Sequence, residues 1–358
     1  LVVLNYTGEG FVPVIIDPRP IKDVSAIKFL GTEVTDKYPV VKMWQVPGPD
    51  TVDDEQLVTA KGPYVPWRNL ALANAYPVLQ GYKNAAGIGY RFNFDDPLGF
   101  ASLAITAAVT PFSDLPTNER GHIDIAGRYQ FWRAGLSWNR SDFYDLFGPT
   151  KRSRKGYAAT LGYVWSLIYD LPRTLDLVFD VAYYDQIDTL PNAQNVGTDF
   201  TRLVTSRVAL RYSDVRRSIG AVDDEKGVKG VLGYKGSYVN GQLTPQFAGG
   251  FDLGFALPLA HSSLWLRTAG GFANGDRNST VANFYFGGFG NNYVDDKSIR
   301  RYREYSSFPG FGIDEISALS FVRELVELSV PPYVFESAGT PSLYLRSLRP
   351  SVFVAGLR

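Results

Sequence analysis

The chain lacks cysteine, contains one methionine and two histidines, and carries no net charge. The absence of cysteine excludes disulfide bonds and thiolate metal sites. Because 36 basic residues balance 36 acidic ones, the composition gives no indication of a nucleic-acid partner. No run of about eighteen apolar residues is present, so the sequence predicts no transmembrane helix.

Catalytic motifs are also missing from the sequence. His122 and His261 lie far apart, and no Ser-His-Asp arrangement, metal-ligand cluster or phosphate-binding loop accompanies them. His122 near Asp124 comes closest to such a pattern, and alternation places both at the edge of a loop. We therefore expect no enzymatic activity, no bound metal and no cofactor.

The feature that is present is alternation, which runs from Leu70 to Arg358 in segments of roughly ten residues. One such segment carries Leu175, Leu177, Phe179, Val181 and Tyr183 on one side. Successive side chains of a strand point to opposite faces of a sheet. A long series of such strands without helices between them is typical of a transmembrane antiparallel β-barrel. A soluble β-sandwich is the alternative, and the aromatic residues repeated along the apolar sides disfavour it.

Thirteen strands can be counted, at residues 70–80, 84–94, 100–110, 121–130, 132–141, 156–169, 173–186, 200–212, 228–239, 244–257, 262–273, 315–330 and 343–356. Bacterial single-chain barrels have even strand numbers, and an open edge in lipid leaves backbone groups unpaired. We therefore expect about three strands beyond the C-terminus, which makes sixteen in the complete protein. The start at Leu1 and the lack of a signal peptide likewise predict a longer precursor.

The connections between these strands alternate in length, with two exceptions: 213–227 is long where a short turn is expected, and 240–243 is short where a long loop is expected. The longer ones, at 111–120, 141–155, 187–199 and 274–314, are predicted to be external loops, and the shorter ones periplasmic turns. The loop at 274–314 is expected outside or folded into the lumen. The polar sides of the strands are expected to line the interior, with these residues pointing inward: Arg91, Asn93, Asp124, Arg128, Arg133, Asp176, Asp180, Arg207, Arg211, Asp252, Arg323 and Glu327.

Residues 1–69 differ from the rest. A hairpin with a glycine-containing turn is predicted at 2–16, and a proline-rich stretch with an extended piece at 40–45 follows it. We interpret residues 1–69 as a periplasmic segment and 70–358 as the barrel. The segment is either the end of a larger periplasmic domain or an ordered linker.

One region carries a motif. Residues 299–304 read Ile-Arg-Arg-Tyr-Arg-Glu, after two glycines at 287 and 288, and residues 327–331 read Glu-Leu-Ser-Val-Pro. Here the chain resembles the bacterial surface antigen superfamily, which holds outer-membrane protein assembly barrels and two-partner secretion transporters. Their sixth external loop folds into the lumen with a Val-Arg-Gly-Tyr/Phe motif, and Arg301 stands at the glycine position of that motif. The chain looks most similar to a branch in which a TolB-like periplasmic β-propeller precedes the barrel.

The resemblance implies a latch that holds the long loop inside the barrel. Its residues are Arg300, Tyr302, Arg303, Glu304 and Glu327, with Gly287 and Gly288 as the loop glycines. A guanidinium in a partly dehydrated lumen requires a carboxylate partner. For Arg300 we expect Glu327 first and Asp252 second, while Tyr302 packs on the inner wall. An exposed basic loop tip is the alternative.

Two further segments are weaker candidates. The basic end of the 141–155 loop is a possible contact for lipopolysaccharide phosphates, although a solvated loop is the simpler interpretation. The acidic turn at 223–225 is a possible cation site.

The sequence thus predicts a bacterial outer-membrane barrel in contact with lipid and lipopolysaccharide. The resemblance implies that it assembles, inserts or translocates polypeptide or another macromolecule, with periplasmic or outer-membrane protein partners. The alternative function is a passive porin or a structural anchor for a periplasmic propeller.

Overall fold

The computed structural model describes residues 2–6, 11–15, 34–40, 62–147, 151–288, 301–340 and 342–358. The chain divides into two compact units, of which the second runs from Pro66 to Arg358. In the first unit, strands β1 (Val2–Tyr6) and β2 (Phe11–Ile15) pair antiparallel, and residues 34–37 form one helical turn. Most of the extended piece predicted at 40–45 lies outside the described residues.

The second unit is built on one antiparallel sheet of thirteen strands. In chain order the strands of this unit are β3 (Ala71–Tyr82), β4 (Ala85–Asp95), β5 (Ala101–Val109), β6 (Gly121–Tyr129), β7 (Trp132–Arg140), β8 (Arg154–Asp170), β9 (Arg173–Asp185), β10 (Thr189–Leu190), β11 (Ala193–Gly197), β12 (Arg202–Arg216), β13 (Lys226–Val239), β14 (Gln242–Ala256), β15 (Ser263–Ala273), β16 (Phe284–Phe286), β17 (Ile316–Ala318), β18 (Ser320–Ser329), β19 (Tyr333–Thr340), β20 (Leu343–Leu348) and β21 (Ser351–Leu357).

Each strand of the large sheet pairs with its neighbours in the order β21-β18-β15-β14-β13-β12-β9-β8-β7-β6-β5-β4-β3. The small pairs β10–β11, β16–β17 and β19–β20 lie in the connections between these strands. Short 3-10 helices occupy Pro66–Arg68, Thr117–Glu119, Phe143–Leu146 and Arg301–Arg303. Among the described residues, no helix is both long enough and apolar enough to cross a membrane.

The prediction of thirteen strands in one antiparallel series is confirmed. Two boundaries are wrong. The strand predicted at 315–330 is divided, because 316–318 pair with β16 inside the connection and only Ser320–Ser329 join the large sheet. The strand predicted at 343–356 is also divided, because Leu343–Leu348 fold back on β19 and Ser351–Leu357 pair with β18. Alternation alone did not show that 349–350 interrupt the strand.

The sheet has one polar and one apolar face. The register places all twelve residues predicted to point inward on one face, since Arg323 lies opposite Ala269, Asp252 opposite Arg267, and each further pairing keeps the same side. We call this side the polar face. Burial in β18 follows the same period: Phe321, Arg323, Leu325, Glu327 and Ser329 are buried, and the residues between them are exposed.

The apolar face exposes large side chains on strand after strand. Phe247, Phe251 and Phe255 of β14 are each at least 40 % exposed, and Leu266 and Phe272 of β15 continue the surface. Soluble monomers rarely expose contiguous apolar patches larger than a few hundred Å². The sheet thus exposes large apolar side chains on one face and carries the twelve charged or polar residues named above on the other.

The connections fall at two ends of the sheet. One end, which we call the long-loop end, carries the connections 110–120, 141–153, 186–201 and 274–319, together with the turns 83–84 and 240–241. The opposite, short-turn end carries 96–100, 130–131, 171–172, 217–225, 257–262 and the segment 330–350, which contains the β19–β20 hairpin. The longest connection, 274–319, and the connection 217–225 both reach the candidate site.

Candidate functional site

The connection 274–319 leaves β15 at the long-loop end and returns to β18 at the same end, yet its middle contacts the opposite end of the strands. Tyr305 stacks on Phe321, near the start of β18, with ring centroids 5.9 Å apart. Tyr302 donates a hydrogen bond to Glu327 at 2.7 Å, near the end of β18. Phe321 and Glu327 are six residues apart, which corresponds to roughly 20 Å along a strand. The loop therefore runs along the polar face for most of the strand length.

The root of this loop is fixed by aromatic packing. Phe284 and Phe286 of β16 lie edge-on to Phe321 at 4.9 and 4.8 Å, and all three rings are buried. The backbone N–H of Gly287 donates to the Ser306 carbonyl at 2.9 Å, and that of Gly288 to Phe311 at 3.0 Å. Gly287 has φ 137°, and an added Cβ would collide with the carbonyl oxygen of Gly312. Only glycine permits this close approach.

Glu327 is the centre of the site. Its side chain is 0 % exposed. Arg303 grips it with two parallel hydrogen bonds, from Nε to Oε2 at 2.8 Å and from Nη2 to Oε1 at 2.6 Å. The fork of a guanidinium matches a carboxylate in this geometry, which makes such a pair both strong and directional. The Tyr302 hydroxyl donates to the same carboxylate, so the loop contributes two adjacent residues to one strand residue.

Strand and turn residues complete the charge balance. Arg267 of β15 bridges two carboxylates, since its Nε lies 3.3 Å from Glu327 and its Nη1 pairs with Asp252 of β14. Asp223, from the connection at the short-turn end, accepts a hydrogen bond from Arg303 Nη2 at 2.7 Å. Two connections, 274–319 and 217–225, and the three strands β14, β15 and β18 therefore meet at one network of opposite charges.

Arg323 holds the backbone of the loop. It is 1 % exposed, and its guanidinium donates to the Tyr302 carbonyl at 2.6 Å and to the Ser307 carbonyl at 3.1 Å. The ring of Tyr302 also stacks on Phe353 of β21, with centroids 4.2 Å apart and planes inclined by 8°. The loop is thus tied to β15, β18 and β21 by side-chain charge, backbone carbonyls and ring stacking together.

Electrostatics favour the ionised network. Burial by itself lowers the pKa of Arg303, but its hydrogen bonds to Glu327 and Asp223 outweigh burial and hold the pKa above the ordinary value. A buried ion pair is favourable only when geometry and further hydrogen bonds offset desolvation. Here the bidentate contact and the Tyr302 hydroxyl provide those bonds.

The structure places the predicted latch residues as follows. Tyr302 and Arg303 meet Glu327, whereas Glu304 is exposed and accepts a hydrogen bond from Ser307 through its backbone carbonyl. Gly287 and Gly288 lie at the root of the loop. Arg300 lies outside the described residues, so the pairing expected for it with Glu327 or Asp252 is not described. Within the described residues, Arg303 is the arginine that forms the bidentate contact with Glu327.

Sequence reasoning missed three partners: Arg267, Asp223 and Phe353. Arg267 could have been found, because it alternates out of phase with the apolar side chains Leu266 and Phe272 of the same strand. Asp223 lies 80 residues before Arg303 in the sequence, and no local pattern connects them. Phe353 belongs to the polar face because the strand register of β21 places it opposite Glu327.

In both weaker candidate segments, the acidic turn at 223–225 and the 141–155 loop, charged side chains form contacts within the chain. In the acidic turn, Asp224 pairs with Lys229 at 2.7 Å and Glu225 with His261 at 3.0 Å. In the 141–153 connection, Arg152 lies over the ring of Tyr144 at 4.2 Å, and Lys151 donates to the Asp145 carbonyl. The described residues contain no cluster of three or more histidine, aspartate or glutamate side chains able to hold a metal.

His122, which with Asp124 came closest to a catalytic pattern in the sequence, is buried. Its Nδ1 lies 2.7 Å from the Asn139 carbonyl and its Nε2 3.3 Å from the Thr110 hydroxyl. The ring of Tyr82 packs on it at 4.6 Å. Both ring nitrogens thus have partners within the fold.

Comparison of the chain with protein-family models and with curated protein sequences finds no match.

Proposed function

We propose that the thirteen-stranded sheet is the wall of a bacterial outer-membrane β-barrel and that the connection 274–319 is its lumenal latch. The observation that carries the proposal is the path of this loop, which follows the polar face to the short-turn end and is tied there by Arg303 and Glu327.

Membrane placement is supported by the two faces of the sheet. The apolar face exposes aromatic and aliphatic side chains that lipid would cover, while the polar face carries charges that lipid would exclude. In this orientation the long-loop end is external, beside lipopolysaccharide, and the short-turn end and the N-terminal unit are periplasmic.

The proposed activity is mechanical. The barrel assembles, inserts or translocates polypeptide or another macromolecule, and release of the latch opens the polar face. Support for a polypeptide client comes from the resemblance of residues 284–332 to the bacterial surface antigen superfamily. The residues that hold the latch closed in this proposal are Arg303 and Tyr302 on the loop, and Glu327, Arg267 and Arg323 on the strands.

Single-channel conductance in a planar bilayer tests the latch. We expect quiet traces from the native chain and larger, flickering openings from Arg303→Ala, because that variant removes the bidentate grip on Glu327. Arg133→Ala is the matched control, since Arg133 lies on the polar face, is 52 % exposed and pairs with Asp180 away from the loop. It is expected to remain as quiet as the native chain.

The other outcomes identify the competing functions. A large, steady conductance in the native chain and in both variants would replace the latch with a passive porin. If neither the native chain nor either variant conducts, and protection from protease verifies insertion, the result would favour a structural anchor as the function.

Cysteine labelling provides a second test, because the chain has no native cysteine to interfere. Ser329→Cys places a thiol on the polar face beside Glu327, and Thr160→Cys places one on β8, on the same face. With a membrane-impermeant maleimide, we expect Ser329→Cys to label slowly and to accelerate when Arg303→Ala is added. Thr160→Cys should label at one rate in both backgrounds; equal acceleration at both positions would indicate general loosening rather than latch release.

A further inference from the structure

A second feature of the polar face is a row of basic side chains that runs across the sheet. The register aligns Arg128 with Arg133, then Gly162, Asp180, Arg207 and Lys235. Two of these pairs, Arg128 with Arg133 and Arg207 with Lys235, place like charges directly opposite each other. Such cross-strand pairs are destabilising unless something of opposite charge lies between them.

The Arg207–Lys235 pair opens into a cavity of about 430 Å³. Strands β12 to β15 form its floor, and residues of the connections 186–201 and 274–319 form its walls. The size lies within the range of small-molecule sites, roughly 300–1,000 Å³. Asp180 reaches Arg133 instead, at 3.4 Å, and within the described residues no carboxylate lies within 4.0 Å of Arg207 or Lys235.

Polar atoms without partners line the same cavity. The hydroxyls of Ser237 and Thr280 and the Oδ1 atom of Asn283 are buried and form no hydrogen bond with any described residue. All three residues belong to the cavity wall. Ser237 is 0 % exposed. Buried polar groups in native proteins nearly always have partners, so each unsatisfied atom requires an explanation.

The cavity wall is also partly apolar. Leu203, Val281 and Phe284 are buried and face the same space. Asp314, from the loop, is the acidic residue of the wall, and burial raises its pKa, which weakens it as a counter-ion for the two cations. The site therefore offers two basic side chains, three polar atoms without partners among the described residues, and an apolar side.

We propose that this cavity binds a small organic oxyanion, a carboxylate attached to an apolar body. The carboxylate lies between Arg207 and Lys235, where it relieves their repulsion, and the Ser237 hydroxyl donates to it. The apolar body packs against Leu203 and Phe284. Because the loop 274–319 forms one wall, a bound ligand joins the loop to β12 and β13 at a point separate from Glu327.

The test uses 4-fluorobenzoate as the probe and follows its ¹⁹F signal as it is titrated with the full chain. We expect saturable binding that weakens roughly tenfold to hundredfold in Lys235→Gln, the loss typical of a hydrogen bond to a charged group. Lys235→Arg keeps the charge and should retain binding. Lys229→Gln is the matched control, since Lys229 lies on the same strand and face but pairs with Asp224 at 2.7 Å.

The neutral analogue 4-fluorobenzamide separates charge from shape. If the amide binds as tightly as the acid, or if Lys235→Gln binds like the native chain, the oxyanion site is refuted. Binding of chloride or acetate alone, with no gain from the aromatic ring, would reduce the cavity to a hydrated anion site and also refute the proposal. The result is independent of the latch, because among the described residues neither Lys235 nor Lys229 forms an ion pair with Glu327, and neither forms a hydrogen bond to Tyr302 or Arg303.

Discussion

The two halves of the polar face treat their charges differently. On β15, β18 and β21, which we call the covered half, loop residues lie over the strands, and Arg267, Arg323 and Glu327 are 6 %, 1 % and 0 % exposed. On β3 to β8, the open half, strand side chains alone line a cavity of about 630 Å³. In this half, Arg133 of β7 forms an ion pair with Asp180 of β9. Its Nη2 atom lies 3.4 Å from the Asp180 Oδ1 atom, and the two side chains are 52 % and 36 % exposed.

The difference in exposure between the two halves indicates where an ion pair contributes to the free energy of unfolding. Removing one member of a buried ion pair leaves an uncompensated charge and costs about 3–5 kcal/mol. An exposed pair of the same residue types contributes about 0–1 kcal/mol. The same kind of contact is therefore structural under the loop and nearly neutral in the open half.

The largest expected effect comes from Glu327→Ala. It leaves Arg303 and Arg267 without their shared carboxylate, and we expect the free energy of unfolding to fall by about 3–5 kcal/mol. Asp180→Ala, in the exposed pair with Arg133, should cost about 0–1 kcal/mol. Urea unfolding of both variants in the same lipid or detergent measures the difference, and equal losses would abolish the distinction between the halves.

Next in size is Tyr302→Phe. The variant retains the ring stacked on Phe353 and removes the hydroxyl, which donates to the buried Glu327 carboxylate and lies 3.0 Å from the Ser351 hydroxyl. Loss of a hydrogen bond to a charged group costs about 1.5–3 kcal/mol. Tyr305→Phe is the control, because Tyr305 stacks on Phe321 but its hydroxyl has no partner among the described residues. We expect it to unfold like the native chain. If both variants lose the same stability, ring packing rather than the Glu327 contact holds the loop.

The root of the loop gives a third prediction. Gly287→Ala and Gly310→Ala both place an alanine at positive φ, 137° and 98°, which costs about 1–2 kcal/mol. Of these two glycines, Gly287 lies close to the backbone of Gly312 and Gly310 has no close neighbour. We therefore expect Gly287→Ala to lower the free energy of unfolding by about 1 kcal/mol or more beyond the loss in Gly310→Ala. Proteolysis of the 274–319 connection, measured alongside thermal unfolding, shows whether the extra loss loosens the loop. Identical curves would mean that the close approach to Gly312 relaxes freely.

The smallest effect concerns the long-loop end of the open half, where Lys83 joins Glu119 at 2.8 Å and Asp188 at 3.0 Å. Burial raises the pKa of Glu119, but hydrogen bonds from Lys83 and Lys155 outweigh it and hold the pKa below its ordinary value. A carboxylate with a lowered folded pKa stabilises the fold above its unfolded pKa of about 4.3, and this contribution is lost as the pH falls through the folded pKa.

We therefore expect Glu119→Gln to be less stable than the native chain at pH 7 by a few tenths to about 1 kcal/mol, with Lys83 partly exposed to screening solvent. The two unfolding curves should converge as the pH falls below about 4. Asp114→Asn, at an exposed position of the same connection, provides the comparison and should unfold close to the native chain at pH 7. A constant gap between Glu119→Gln and the native chain down to acid pH would contradict the ionic explanation.

Much of this architecture could be predicted from local pattern. A strand has a side-chain period of two, so Leu175 to Tyr183 and Phe247 to Leu257 predict their own strands and faces without knowledge of their neighbours. The divided segments at 315–330 and 343–356 could not be predicted, because Leu343–Leu348 alternate as well as Ser351–Leu357 do. What separates them is their partner strand, which is a property of the fold.

The candidate site shows the same limit. The sequence by itself determined that Glu327 and Arg323 face the polar side and that a long loop with arginines and a tyrosine lies nearby. Only the tertiary structure decided that Arg303 grips Glu327, that Asp223 joins them from a turn 80 residues earlier, and that Arg207 lies opposite Lys235. The reason is physical: alternation is set by the backbone of each residue, whereas the partner of a charge depends on strand register and loop depth, which packing of the whole sheet determines.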